Sequence, residues 1–106
     1  MRDDKRNLYV YHKGEYVGWV DDCRNDMWYM EGKWCPADTV AAANFTNLMV
    51  AQEWEQNFKQ GEGELVLYSE EEEGKQLDGL AMGLVGSLLI VRMLLPETAE
   101  IIRQRK

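Results

Sequence analysis

The chain has 106 residues, 45% apolar and 29% charged, a composition of folded globular domains that excludes the low-hydrophobicity class of disordered chains. That length supports one hydrophobic core and leaves no room for a second, so residues 1–106 are expected to form a single α+β domain. Nineteen acidic residues against twelve basic ones give a net charge of −7, which repels phosphate backbones and anionic lipid and argues against nucleic-acid and membrane partners.

The opening segment, Met1-Arg-Asp-Asp-Lys-Arg-Asn-Leu-Tyr-Val10, is charged and holds no apolar run of signal-peptide length, so a cytoplasmic location is expected. Two cysteines, Cys23 and Cys35, are too few for a disulfide framework. With the single histidine, His12, their spacing matches no zinc pattern, so no metal or cofactor is expected.

Residues 8–22 are rich in Val, Tyr and Trp on both sides of Lys13-Gly14, and a glycine there suits the left-handed position of a tight hairpin turn. The pattern Tyr11-His-Lys-Gly-Glu-Tyr16 recurs as Tyr29-Met-Glu-Gly-Lys-Trp34, which predicts a second hairpin turning at Glu31-Gly32, with Cys23–Asp26 as the connecting loop. Alternation along these four strands assigns Leu8, Val10, Val17, Trp19, Trp28, Met30 and Cys35 to a core face. The opposite face collects Tyr9, Tyr11, Tyr16, Val20, Met27, Tyr29 and Trp34. A bulge in any strand would exchange members between the faces.

Pro36-Ala-Asp38 ends the last strand, and Asp38 or Thr39 can cap a helix running to about Gln60, where Gly61-Glu-Gly63 stops it. Its apolar residues form two stripes: Ala41, Phe45, Leu48 and Met49 early, and Val50, Trp54 and Phe58 late, nearly opposite. Glu64–Ser69 reads as a strand and Glu70–Gly74 as a solvated acidic turn.

The apolar block Leu77–Leu95 is nineteen residues long, and a Gly79-x-x-x-Gly83 pair and the basic tail Arg103–Lys106 would suit a membrane span. Asp78, Arg92 and the central Gly86-Ser87 oppose it. Two buried strands, 79–85 and 88–95, are the preferred assignment. Pro96-Glu97 then opens a C-terminal helix with acids first and bases last, matching its dipole. The expected order is ββββ-α-βββ-α: two antiparallel meanders forming a strongly curved sheet, at its limit a partly closed barrel, around the central helix.

Chemistry is sparsely signalled. A thiol enzyme would need Cys23 or Cys35 beside His12, yet the predicted meander holds His12 at a turn, exposed, and Cys23 at the far end of a strand. The carboxylates Asp21, Asp22, Asp26, Asp38 and Glu70–Glu73 lie in turns and helix starts, where solvation and capping account for them. Aromatic density stands out. Tyr9, Tyr11, Tyr16, Tyr29 and Trp34 on one face make a binding surface of the kind enriched in interfaces, unless other elements cover them as a second core layer.

The stripe Val50, Trp54 and Phe58 would pack under the C-terminal Ile101 and Ile102 or meet its own copy in a homodimer. The leading expectation is a non-enzymatic binding protein, an accessory, inhibitor or immunity factor of bacterial or phage type that grips a protein partner through its Tyr/Trp face. The alternative is a small-molecule binder with an apolar cavity lined by Trp19, Trp28, Met30 and Trp54. A thiol-dependent enzyme ranks last.

Overall fold

A computed structural model of the chain describes residues 6–71 and 74–105. The charged segment 1–5, residues 72–73 of the acidic turn and residue 106 of the basic tail lie outside the described residues. Among those described, six strands and three helices follow in the order β1 (Arg6–His12), β2 (Glu15–Asp26), β3 (Tyr29–Pro36), α1 (Val40–Ala51), α2 (Trp54–Gln60), β4 (Glu64–Ser69), β5 (Leu77–Val85), β6 (Leu88–Met93) and α3 (Pro96–Arg105).

The fold is α+β, and its antiparallel sheet closes fully. The strands run in the order β1-β2-β3-β6-β5-β4, with β4 returning to β1. Two three-stranded meanders thus join edge to edge through the pairings of β3 with β6 and β1 with β4. The β1–β4 seam is short: Tyr9 faces Ser69, Val10 faces Tyr68 and Tyr11 faces Leu67.

The first hairpin turns at Lys13-Gly14, as its composition predicts. Both residues adopt positive φ, 54° and 82°, the geometry that matches the right-handed twist of the flanking strands. The second hairpin differs from expectation. Glu31-Gly32 is not a turn; β3 runs straight through it, and β2 continues to Asp26 before turning at Met27-Trp28. Three strands, not four, therefore precede the helices, and Cys23 lies within β2.

Two bulges redistribute the faces. Val10 pairs with Gly18 but Tyr11 with Tyr16, so one extra residue in β2 turns Trp19 outward and Val20 inward. Further along, Asp21 pairs with Lys33 and Arg24 with Glu31, leaving Asp22 and Cys23 opposite Gly32. The glycine is needed there because a Cβ would lie 2.6 Å from Val20 Cγ1 and 2.7 Å from the Asp21 carbonyl oxygen. The glycine that resembled a turn residue instead lets β2 press into β3.

The interior is filled by Leu8, Val10, Val17, Val20, Met30 and Trp34 from the first meander and Val66, Tyr68, Ala81, Leu89 and Val91 from the second. Helix α1, capped by the Thr39 hydroxyl accepting from the Ala42 amide at 3.0 Å, closes one end with Ala42, Phe45 and Met49. The expected single helix breaks at Gln52-Glu53. Gln52 has extended φ and ψ of −72° and 142°, and the break explains why one apolar stripe could not serve the whole segment. Gly83 makes room for the junction, since a Cβ there would lie 3.1 Å from Trp54 Cβ and 3.2 Å from Gln52 Cβ.

Block 77–95 is the β5–β6 hairpin, turning at Gly86-Ser87. Among the described residues no helix is long and apolar enough to cross a membrane. A second, smaller buried layer forms outside the barrel, where Leu80, Met82 and Ala99 are sealed beneath α2 and α3.

Candidate functional site

The five residues expected to share a binding face are separated by the structure. Trp34 is only 7% exposed and points into the barrel, where its ring lies 5.5 Å from that of Phe45 and its Nε1 donates to Thr46 Oγ1 at 2.9 Å. It is core. A straight strand through Gly32 reverses its parity relative to Tyr29, whereas the assumed turn placed them together. Tyr29 is outward but distant from the other tyrosines; its ring lies 4.8 Å from Phe58 of α2.

Tyr9, Tyr11 and Tyr16 do assemble. Tyr16 lies 6.5 Å from Tyr9 and 5.6 Å from Tyr11, ring centre to ring centre. Tyr9 and Tyr11 are half-buried and Tyr16 is 38% exposed. Tyr9 pairs with the half-buried Trp19, and Tyr11 with Leu67 across the seam, which extends the aromatic surface to both sides. The main packing partners of β1 are its barrel neighbours β2 and β4, while the helices pack chiefly on β2, β3, β4 and β5. The cluster therefore stands on the outer barrel wall. Exposed Glu15 precedes Tyr16 in the chain, and exposed Glu70 and Glu71 follow Ser69, the β4 partner of Tyr9; Ser69 Oγ accepts from the Glu71 amide at 3.2 Å, fixing the start of the acidic turn.

The late helix stripe is also divided. Val50 is exposed on α1, Trp54 is half-buried over Gly83, and Phe58 is exposed beside Tyr29. Ile101 and Ile102 do not cover it. Between α2 and α3 lies a cleft of about 610 Å³ lined by Gln52, Asn57, Gln60, Leu80, Ile101 and Ile102 among others. Asn57 Nδ2 donates to Gln52 Oε1 at 2.7 Å and to the Met82 carbonyl at 2.9 Å, anchoring α2 to β5 along one wall.

The four residues proposed to line an apolar cavity do not meet around one. Met30 is in the packed interior, Trp19 points outward from β2, Trp54 sits on α2, and Trp28 is 53% exposed at the β2–β3 turn.

His12 is not exposed as the turn position implied. Its alternation with Leu8 and Val10 carries it inward, where Nε2 lies 2.8 Å from Glu64 Oε2 and the ring lies 5.0 Å from Phe45. The carboxylate holds the imidazole in one orientation beneath α1. The period-two pattern could have placed His12 inside, but nothing in the sequence links it to Glu64, fifty-two residues away.

Neither thiol reaches this histidine. Cys23 is buried near Arg6 at the opposite end of β1, about 20 Å along the strand at the usual rise per residue. Cys35 lies on the outer face next to Trp19, its Sγ 3.8 Å from the Lys33 carbonyl. Burial and the nearby Asp21 charge raise its pKa above the ordinary thiol value, against a smaller opposing effect of Lys33. A neutral thiol is a weak nucleophile.

The carboxylates Asp21, Asp22, Asp38 and Glu70 are exposed. Among the described residues, no group of three or more His, Cys, Asp or Glu side chains is placed to hold a metal ion. Comparison with protein-family models, with characterised proteins and with solved structures gave no match.

Proposed function

We propose that the protein is a small binding module that acts without catalysis and engages a protein partner through the outer face of β1 and β2. One observation carries this reading: Tyr9 and Tyr11 both lie against Tyr16 on the outer wall of a barrel whose interior is filled by other residues. Phenol rings offer large, stiff contact area with a polar end, and so recur as anchors in interfaces. The bordering Glu15, Glu70 and Glu71 and the net charge of −7 favour a basic partner. That is the chemistry of an inhibitor or immunity-type accessory protein that occupies a site evolved for an anionic ligand. The two unbridged cysteines suit a cytoplasmic setting. The small-ligand alternative rests on the open cleft between α2 and α3, whose wall combines the amides of Gln52, Asn57 and Gln60 with apolar Leu80, Ile101 and Ile102.

Selection of a displayed random-peptide library on the intact protein tests the reading. Enriched peptides should be rich in Lys or Arg and should lose binding to a Tyr11→Ala/Tyr16→Ala variant that still folds. Enrichment insensitive to that variant would sink the Tyr-face assignment.

A further inference from the structure

We infer that the Met27-Trp28 turn and the neighbouring cleft between α2 and α3 form a self-association face that receives a second copy of this chain. It stands apart from the tyrosine cluster, since nine residues of β2 separate Tyr16 from Asp26.

The first observation is a turn that holds apolar side chains out to solvent. The first loop residue of each hairpin has positive φ, 54° at Lys13, 60° at Met27 and 62° at Gly86, and of the three only Met27 places an apolar side chain there. Left-handed backbone disfavours an unbranched bulky side chain. Met27 nevertheless projects 82% exposed, with Trp28 beside it. A turn that meets only water would carry glycine or a polar side chain there, as Gly86 and Lys13 do in the other two hairpins.

The second observation is continuity. The Met93 amide donates to the Trp28 carbonyl at 2.7 Å, pinning the turn to β6. Trp28, Arg92, Leu95 and Thr98 line one small cleft, and Thr98 also lines the 610 Å³ cleft beside exposed Ile101. Tyr29 pairs with Arg92 and stacks on Phe58, which joins α2 to the same surface. A protruding Met-Trp turn thus stands next to a concavity in the size range of ligand pockets. A knob and a hole on one face are self-complementary: a twofold axis places each turn in the partner's cleft.

The third observation is area. The exposed parts of Met27, Trp28, Phe58, Leu95 and Ile101 amount to roughly 600 Å² per copy, so a pair would bury roughly 1,200 Å², the lower bound of stable interfaces. Each copy carries −7, and that repulsion is screened beyond about 8 Å at physiological salt. Apolar contact with like net charge predicts an association that tightens as salt is added.

Sedimentation velocity on the full chain, from micromolar to about millimolar concentration, reads the result. The unaltered protein should show a reversible monomer–dimer equilibrium, stronger at high salt. Met27→Gly should preserve or raise the melting temperature of the dilute protein, because glycine relaxes the turn, yet weaken dimerisation by about tenfold or more. Ile101→Lys on α3 gives the same readout without touching the turn, and Tyr16→Ala should leave the dimer intact. The proposal is overturned by a monomer throughout the range, by a dimer indifferent to both Met27→Gly and Ile101→Lys, by a dimer lost with Tyr16→Ala, or by one that weakens with salt.

Discussion

Trp34 of β3 and Thr46 of α1 are joined by a 2.9 Å hydrogen bond from the indole N–H to the hydroxyl. The bond fastens the helix that closes the barrel to the wall it closes. Phe45, the adjacent helix residue, completes the arrangement by touching both Trp34 and His12, so one turn of α1 holds β3 and β1, the strands on either side of β2.

Phe45→Ala should therefore lower unfolding free energy by about 3–5 kcal/mol, the usual cost of emptying a buried phenylalanine site. Trp34→Phe keeps part of the ring contact, removes the indole donor and leaves only a small void, for a loss of about 1–2 kcal/mol. Urea denaturation distinguishes them. Similar losses for both variants would show that the hydrogen bond, and not ring packing, secures α1.

Gly32 and Gly14 make a second comparison. At Gly32 an added methyl meets Val20, the Asp21 carbonyl and Cys23 Cα, two of them backbone; Gly32→Ala should cost about 1–3 kcal/mol through overpacking. At Gly14 nothing lies within 4 Å but φ is 82°, so Gly14→Ala should cost about 1 kcal/mol from backbone strain alone. Equal tolerance of alanine at both sites, measured by thermal unfolding, would contradict the close approach of β2 to β3.

Tyr68 should govern alkaline stability. Burial, then the charges of Glu70, Asp78 and Cys23, raise its pKa above the ordinary tyrosine value. The folded state thus favours the neutral phenol. Its contribution is fully present below pH 10 and is lost as pH rises through the folded-state value, because the unfolded chain ionises first. Tyr68→Phe should flatten the fall in stability above pH 10, as followed by denaturant midpoints across that range; an unchanged slope would assign the alkaline transition elsewhere.

The two thiols should differ in accessibility and share low reactivity at neutral pH. Cys35 is half-buried with its pKa raised, and Cys23 is fully buried. Iodoacetamide should modify Cys35 more slowly than a free cysteine at pH 8, with a rate still climbing with pH above the ordinary thiol range. Cys23 should react only on unfolding. Peptide mapping after timed alkylation separates them, and fast labelling of Cys35 near neutrality would revive a nucleophilic role.

Much of the architecture was legible because it rests on local rules. Lys13-Gly14 and Gly86-Ser87 announce their hairpins, Thr39 announces α1, and Asp78, Arg92 and the central turn argue correctly for strands in block 77–95. What misled was Gly32. Glycine serves both turns and close strand packing, and the sequence alone does not distinguish them. That one ambiguity displaced the second hairpin, moved Trp34 from core to surface, and hid the Met27-Trp28 turn, since no local preference selects methionine for a left-handed position. The bulge at Gly18 exchanged Trp19 and Val20 for the same kind of reason. Of the expected aromatic face, the part within the correctly read hairpin, Tyr9, Tyr11 and Tyr16, is the part that assembles.

The three-pair seam between β1 and β4 also determines how any partner must be recognised. By pairing β1 with β4, it gives every described strand a neighbour on both sides, so that among the described residues no whole strand edge is left for an incoming chain to extend. Recognition by strand addition is thereby closed off, together with the edge-to-edge aggregation that exposed strands invite. Contacts on the barrel wall fall to side chains, whose identity can change without disturbing the ladder beneath them.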